Sequence, residues 1–331
     1  MTDAELVREA LGRRAAAAAR IGISVPPAKG QLLRPLAALS FVSAEKRDAL
    51  DERFWFGCLA IQMAHEASLQ HDDMLDGGRG RRNAATLLAR EGPGAALLRG
   101  DLYLTGSYRA ARMAGSEGFL DDFIRAVEST VQGERMQAEI EAAADLGAAY
   151  EVVVRAKSGS LFGAATALPG WTGDSVRDGA GSLSPEALRE VGIELGAFYQ
   201  LVDDFLDYCP AADTGKPKLL DFGNRTWTSV LGARGRGWFD RTPDEAATEF
   251  FRAGSGRRSM ADQAMERLEE RGAALLERLR RAGAGRELIG IVGGWIDRCD
   301  GASRSGGGAG AVAGRPRGSA NGTMARIASR A

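Results

Sequence analysis

Ala64-His65-Glu66-Ala67-Ser68-Leu69-Gln70-His71-Asp72-Asp73-Met74-Leu75-Asp76 is a helix-compatible run that closes on three carboxylates spelled DDxxD. The pattern returns as Asp203-Asp204-Phe205-Leu206-Asp207, behind an apolar run that includes Phe198, Leu201 and Val202. In a helix of about 3.6 residues per turn, positions i and i+4 share a face. Asp72 and Asp76 therefore point one way with Asp73 beside them, and Asp203 and Asp207 do the same with Asp204 beside them. Three acids this close repel one another, and the C-terminal end of a helix disfavours negative charge. A cation has to offset them. Magnesium fits, because it takes oxygen ligands, keeps several waters and binds through one or two carboxylates plus substrate phosphates. A single DDxxD is ordinarily a solvated acidic face. Two copies, each followed by basic residues (Arg79, Arg81 and Arg82; Lys216 and Lys218), predict two metal clusters facing each other across a cavity. Bridging ions there would hold a diphosphate.

Composition narrows the frame. Formal net charge is −1, from 43 basic and 44 acidic residues, so no bulk charge draws the chain to nucleic acid or an anionic membrane. Hydrophobic residues make up 44%, enough for a sizeable core. Alanine and leucine are abundant and β-branched runs few, which favours helices. Cys58, Cys209 and Cys299 are scattered and odd in number, so they read as reduced thiols in a cytoplasmic protein. No basic-then-apolar leader opens the sequence, and no apolar run reaches about 18 residues, so no transmembrane segment is expected. Residues 2–20 read as a helix capped at Thr2 or Asp3, 169–185 as a loop, 186–208 as a helix and 240–299 as further helices. Residues 1–300 are expected to form one helical domain, and the Gly/Ala/Arg-rich stretch 301–331 a disordered tail.

DDMLD followed by Arg81-Arg82, and DDFLD followed by Gly215-Lys216, resemble the two aspartate-rich motifs of the trans-isoprenyl diphosphate synthases, or polyprenyl synthetases. The likeness runs in order from about Gly30 to Thr228. It implies an all-α fold, a large helical bundle around a deep central cavity, and commonly a homodimer. It implies a Mg2+-dependent prenyltransferase: an allylic diphosphate ionises, isopentenyl diphosphate attacks the cation, and a trans-polyprenyl diphosphate five carbons longer results.

The same resemblance assigns roles residue by residue. Asp72, Asp73, Asp76, Asp203, Asp204 and Asp207 would be metal ligands, with Asp72, Asp76 and Asp203 central to catalysis. Arg81, Lys157 and Lys216 would hold the allylic diphosphate, and Arg82 the acceptor diphosphate. Ser158, in Lys157-Ser158-Gly159-Ser160-Leu161-Phe162, and Gln200, three before Asp203, would contact substrate, and His65 would lie on the acceptor side. Gln137 would face the cavity. Ala67 and Ser68 would form the floor under the growing chain; two small residues leave it open, which implies products of C20 or longer, with Phe56 and Met63 on nearby turns.

Two stretches depart from the pattern. Gly30-Gln31-Leu32-Leu33-Arg34-Pro35 keeps the last arginine, Arg34, of the family's acceptor motif but has Gln31 and Leu32 where a lysine and an arginine are usual. An amide gives up a charge-assisted phosphate contact; Lys29 stands nearby as a partial substitute. Further on, Thr226 occupies a lysine position, with Arg225 beside it. These losses favour an alternative in which the same ionisation feeds a terpene cyclase or a prenyltransferase with a non-standard acceptor. A non-catalytic partner subunit is a third possibility, against which two intact acid clusters argue.

Overall fold

The first DDxxD run ends a 24-residue helix, Glu52–Leu75. Asp51 caps its start by accepting from the Arg53 amide. Every residue from Phe54 to Ala64 is buried. A helix buried on all sides is an interior rod of a bundle, not a surface element; helices from both before and after it in the chain pack on it. The computed structural model describes residues 1–331 except 28–29, 82–83, 175–176, 179–180, 211, 213–217, 233–235, 254–256 and 308–331. Lys29, Arg82, Gly215 and Lys216 thus lie outside the described residues, as does most of the expected tail.

Among the described residues thirteen α-helices follow in order: α1 (Asp3–Arg20), α2 (Leu33–Ser40), α3 (Glu52–Leu75), α4 (Leu87–Glu91), α5 (Pro93–Met113), α6 (Glu117–Glu139), α7 (Leu146–Val154), α8 (Ser160–Thr172), α9 (Pro185–Asp207), α10 (Leu220–Gly223), α11 (Pro243–Phe251), α12 (Met260–Arg281) and α13 (Arg286–Gly307). The all-α expectation holds. Extended pairing among these residues amounts to two two-residue ladders, Gly80–Arg81 with Ala84–Ala85 and Arg177–Asp178 with Gly181–Ser182, and isolated bridge residues at Val42 and Arg257. Helix starts follow local chemistry. Thr2 and Glu5 form a capping box on α1, Ser259 and Asp262 another on α12, and Ser184 followed by Pro185 opens α9. The last helix runs past Asp300 to Gly307.

Two apolar clusters fill the interior. One gathers α1, α2, α3, α5 and α6 around Phe54, Phe119 and Phe123; the other gathers α7, α9, α11, α12 and α13 around Phe198, Phe205 and Phe250. α8 joins them, with Phe162 in the second and Leu161, Ala164 and Leu168 in the first. Between α7 and α8 the chain makes a π-helical turn, Arg155–Gly159. This turn is wedged between α6 and α9 at positions where only glycine fits. A Cβ on Gly133 would meet the Lys157 backbone nitrogen at 2.4 Å, and one on Gly196 would meet the Ser158 carbonyl at 2.6 Å. No helix among the described residues is long and apolar enough to cross a membrane.

Candidate active site

The ends of α3 and α9 open on one cavity of about 1380 Å³. α3 contributes His65, Ala67, Ser68, Asp72, Asp73 and Asp76 to its wall; α9 contributes Tyr199, Gln200 and Asp203. The π-turn adds Lys157 and Ser158, and the start of α2 adds Gln31, Leu32 and Arg34. The predicted residues that fall within the described chain thus converge, with two exceptions.

Those exceptions are Asp204 and Asp207, both expected as metal ligands. Neither lines the cavity. Asp204 is 3% exposed and points into the core, where Tyr150 Oη donates to it and Gln200 Nε2 donates at 2.8 Å. Asp207 accepts from the backbone amides of Leu220 and Asp221, both at 3.2 Å, and so fixes the start of α10. Of the second acid cluster, only Asp203 faces the cavity. Successive residues on a helix diverge by about 100°, and here Asp204 takes the direction of Tyr150 while Asp203 takes that of the cavity.

In the first cluster Asp72 and Asp76 share the cavity face, as the i, i+4 spacing predicts. Asp73 is 6% exposed and accepts from Arg81 at 3.1 and 2.8 Å. Its backbone carbonyl accepts from the Gly78 amide at 2.8 Å, and Thr86 Oγ1 donates to the Gly78 carbonyl at 2.8 Å. The glycine-rich loop after DDMLD is thereby folded back on the acid helix, with Arg81 at the mouth.

Burial pushes the Asp72 carboxyl up to about 6, against the pull of Lys157 and Arg81 and with the help of Glu134 and Asp76. Burial raises Asp76 as well. Lys157 is drawn upward: burial opposes its charge, but the carboxylates of Asp72, Glu134 and Asp76 outweigh it. Its ammonium lies 2.5 Å from Glu134 Oε2 and donates to Gln137 Oε1 at 2.7 Å. Burial pushes Asp204 up to about 7, although the Tyr150 and Gln200 hydrogen bonds favour its charged form.

The floor is open where Ala67, 1% exposed, meets the cavity. Phe56 and Met63 do not reach it; Leu104, Val127 and Leu161 line it instead. On the α2 side Leu32 is buried, in a left-handed conformation with φ of 51°. The guanidinium of Arg34 lies 4.6 Å from the centre of the Phe162 ring. Arg225 also lines the cavity and pairs with Asp240 at 3.0 Å. His71 lies apart from His65 in role: its Nε2 is 3.3 Å from Asp101 Oδ1.

Several lining residues escaped the sequence reading. Glu134 stands three before Gln137 on α6, so its phase was available. Trp227, Trp295 and Arg298 arrive from later elements, and no local pattern announces them. Tyr150 is buried beneath the wall, and only the fold brings it to Asp204.

Comparison with known proteins identifies the family. The polyprenyl synthetase family model matches residues 19–236. A geranylfarnesyl diphosphate synthase of Methanosarcina mazei is 31% identical over 189 residues, covering 57% of this chain and 61% of that protein. This chain therefore matches about three fifths of that relative's length. A (2E,6E)-farnesyl diphosphate synthase of Mycobacterium tuberculosis is 29% identical over 252 residues, covering 69% and 68%. Among solved structures, a polyprenyl synthase from Caulobacter crescentus, complexed with calcium and isoprenyl diphosphate, superposes with a TM-score of 0.66 at 24% identity, covering 89% of this chain and 97% of that one. A Helicobacter pylori geranyltransferase, complexed with magnesium and isoprenyl diphosphate, gives 0.60 at 17%, covering 92% and 97%. At these identities the superpositions speak for the fold alone. With the family model spanning most of the helical bundle and both acid clusters, the chain belongs to the polyprenyl synthetase family.

Proposed function

We propose that this protein is a Mg2+-dependent prenyltransferase that condenses an allylic diphosphate with isopentenyl diphosphate to give a trans-polyprenyl diphosphate of C20 or longer. One observation carries the reading. Asp72 and Asp76 on α3 and Asp203 on α9 share a single cavity with Lys157, Arg81 and Arg34. That is an acid pair, an opposing acid and a set of cations around the volume a diphosphate needs.

The donor set suits magnesium. It consists of carboxylate oxygens, and burial already holds Asp72 and Asp76 above the usual carboxylate range; a cation would relieve that strain. Among the described residues no three acid, histidine or cysteine side chains form a ready-made metal site. Magnesium completes its shell with phosphate and water, so Asp72, Asp76 and Asp203 are the residues that would hold it. When bound, it would neutralise charge on the diphosphate as the C–O bond breaks.

The chain's own residues would do the rest. Lys157 would exchange Glu134 and Gln137 for a phosphate oxygen, and Arg81 would reach from Asp73 to the same group. Leu69, Val127 and Leu161 would keep water from the allylic cation. Arg34 and His65 would orient the acceptor, Ser158 and Gln200 would contact the bound prenyl substrate, and the departing diphosphate would remove the final proton. The relatives named as geranylfarnesyl and geranylgeranyl diphosphate synthases and the small Ala67 support a long product. Lys216 and Arg82 stay in the proposed substrate set on sequence alone. The exposed Leu97, Leu98 and Leu102 of α5 support a homodimer, which sedimentation would test. Three unpaired buried cysteines support a reducing, cytoplasmic setting.

The apolar Leu32 at the cavity wall favours the second reading, a cyclase or a different acceptor. Product analysis by mass spectrometry separates the two. Allylic diphosphates would be supplied with magnesium, with and without isopentenyl diphosphate. Longer prenyl diphosphates formed only with isopentenyl diphosphate support the synthase; hydrocarbons or alcohols formed without it sink that reading and favour the cyclase.

A further inference from the structure

A buried hydrogen-bond chain runs behind the second acid cluster. Tyr150 Oη donates to one oxygen of Asp204, and Gln200 Nε2 donates to the other at 2.8 Å. Ser158 Oγ donates to Gln200 Oε1 at 2.6 Å. Tyr150 and Asp204 are each 3% exposed and Ser158 is 7% exposed. The rings of Tyr150 and Trp227 pack edge to face, with centroids 5.7 Å apart, and Ser229 also hydrogen-bonds the phenol.

The hydrogen bonds give this chain one polarity. In its ionised form Asp204 only accepts, and the hydrogen bonds have both of its neighbours donating. The Gln200 amide nitrogen therefore faces Asp204, and its carbonyl faces Ser158. Ser158 must then spend its one proton on Gln200, which leaves its oxygen lone pairs as the polarity it offers the cavity. Both Asp204 oxygens are engaged on the protein side.

From this geometry we infer that Asp204, with Tyr150, is a positioning residue: it fixes the amide of Gln200 and, through it, the direction of the Ser158 hydroxyl at the cavity wall. The inference rests on the prenyltransferase reading, because it assigns these two groups to the substrate side of that cavity. It separates Asp204 from Asp203, its chain neighbour, which faces the diphosphate end.

The test compares Asp204→Asn, Tyr150→Phe and Asp203→Asn in single-turnover reactions on bound allylic diphosphate with isopentenyl diphosphate, titrated with magnesium. An asparagine keeps the shape but can accept from only one of the two donors. Asp204→Asn should slow the bound substrate about tenfold or more, with the magnesium half-saturation and the KM for the allylic diphosphate within about twofold of wild type. Tyr150→Phe should slow it in the same way, and the double variant should be no slower than Asp204→Asn alone. A shift in magnesium half-saturation for Asp204→Asn matching that of Asp203→Asn would overturn the inference. So would an unchanged rate in Tyr150→Phe, which also serves if Asp204→Asn does not fold. If Asp203→Asn leaves the magnesium dependence intact, the metal reading of the cavity fails instead, and the fault lies there.

Discussion

Replacing Asp72 by asparagine should make the metal-free protein gain stability relative to wild type as pH rises to neutrality, while removing its activity. Burial lifts the Asp72 carboxyl from 3.8 to about 6, a rise of about two pH units. Each unit corresponds to about 1.4 kcal/mol, so ionising Asp72 in the folded chain costs on the order of 3 kcal/mol. The folded carboxyl holds its proton more tightly than the unfolded one. Its contribution to stability is therefore full below about pH 3.8 and is lost as pH rises through about 6. Asparagine does not titrate. The stability of Asp72→Asn relative to wild type should accordingly climb by on the order of 3 kcal/mol between pH 4 and pH 7, whatever contacts the substitution costs. Urea denaturation with a chelator present, read as midpoint and slope across that range, measures the difference. Asp204, raised as well, titrates in both proteins and cancels in the comparison. A gap that stays flat within about 0.5 kcal/mol, below the scale of one pH unit, would refute the claim that the site stores charge strain at Asp72.

Three further outcomes follow from the geometry. Asp203→Ala should abolish turnover while leaving helix content by circular dichroism unchanged, because Asp203 is the one acid of its cluster that lines the cavity; near-normal turnover would remove it from the metal set. Gly133→Ala would set a Cβ 2.4 Å from the Lys157 nitrogen and 2.8 Å from its Cα. It should cost about 1–3 kcal/mol and raise the KM for the allylic diphosphate, and a variant with wild-type Tm and KM would show that the π-turn is not wedged in place. Ala67→Phe would fill the open floor and should shorten the product by at least one five-carbon unit; an unchanged product length by mass spectrometry would move the limit to Leu104, Val127 or Leu161.

Much of this was legible in the chain because it is local. The helical run before DDMLD, the i, i+4 spacing of Asp72 and Asp76, and the Thr2 cap depend on neighbours within one or two turns. Where the second cluster diverged, Tyr150 and the amides of Leu220 and Asp221 came from elsewhere in the chain, and only Gln200 was local. Asp204 turns inward because Tyr150 and Gln200 meet it there, and Asp207 is claimed by the amides of Leu220 and Asp221 once the chain returns through α10. Nothing in the order of residues distinguishes DDFLD from DDMLD in this respect. The π-turn under Lys157 was equally hidden, since it depends on Gly133 and Gly196 allowing two other helices to close on it. Leu32 was visible as a departure from the family pattern, but its left-handed backbone and its burial at the wall were not.

The central claim is that the two acid helices together drive metal-assisted loss of diphosphate from an allylic substrate. Its most direct test is release of inorganic diphosphate from an allylic diphosphate in the presence of isopentenyl diphosphate, with magnesium and with chelator, in wild type, Asp72→Asn and Asp203→Ala. Release that requires magnesium in wild type and vanishes in both variants is the predicted result. Release that persists under chelation, or survives loss of either acid, would contradict the account.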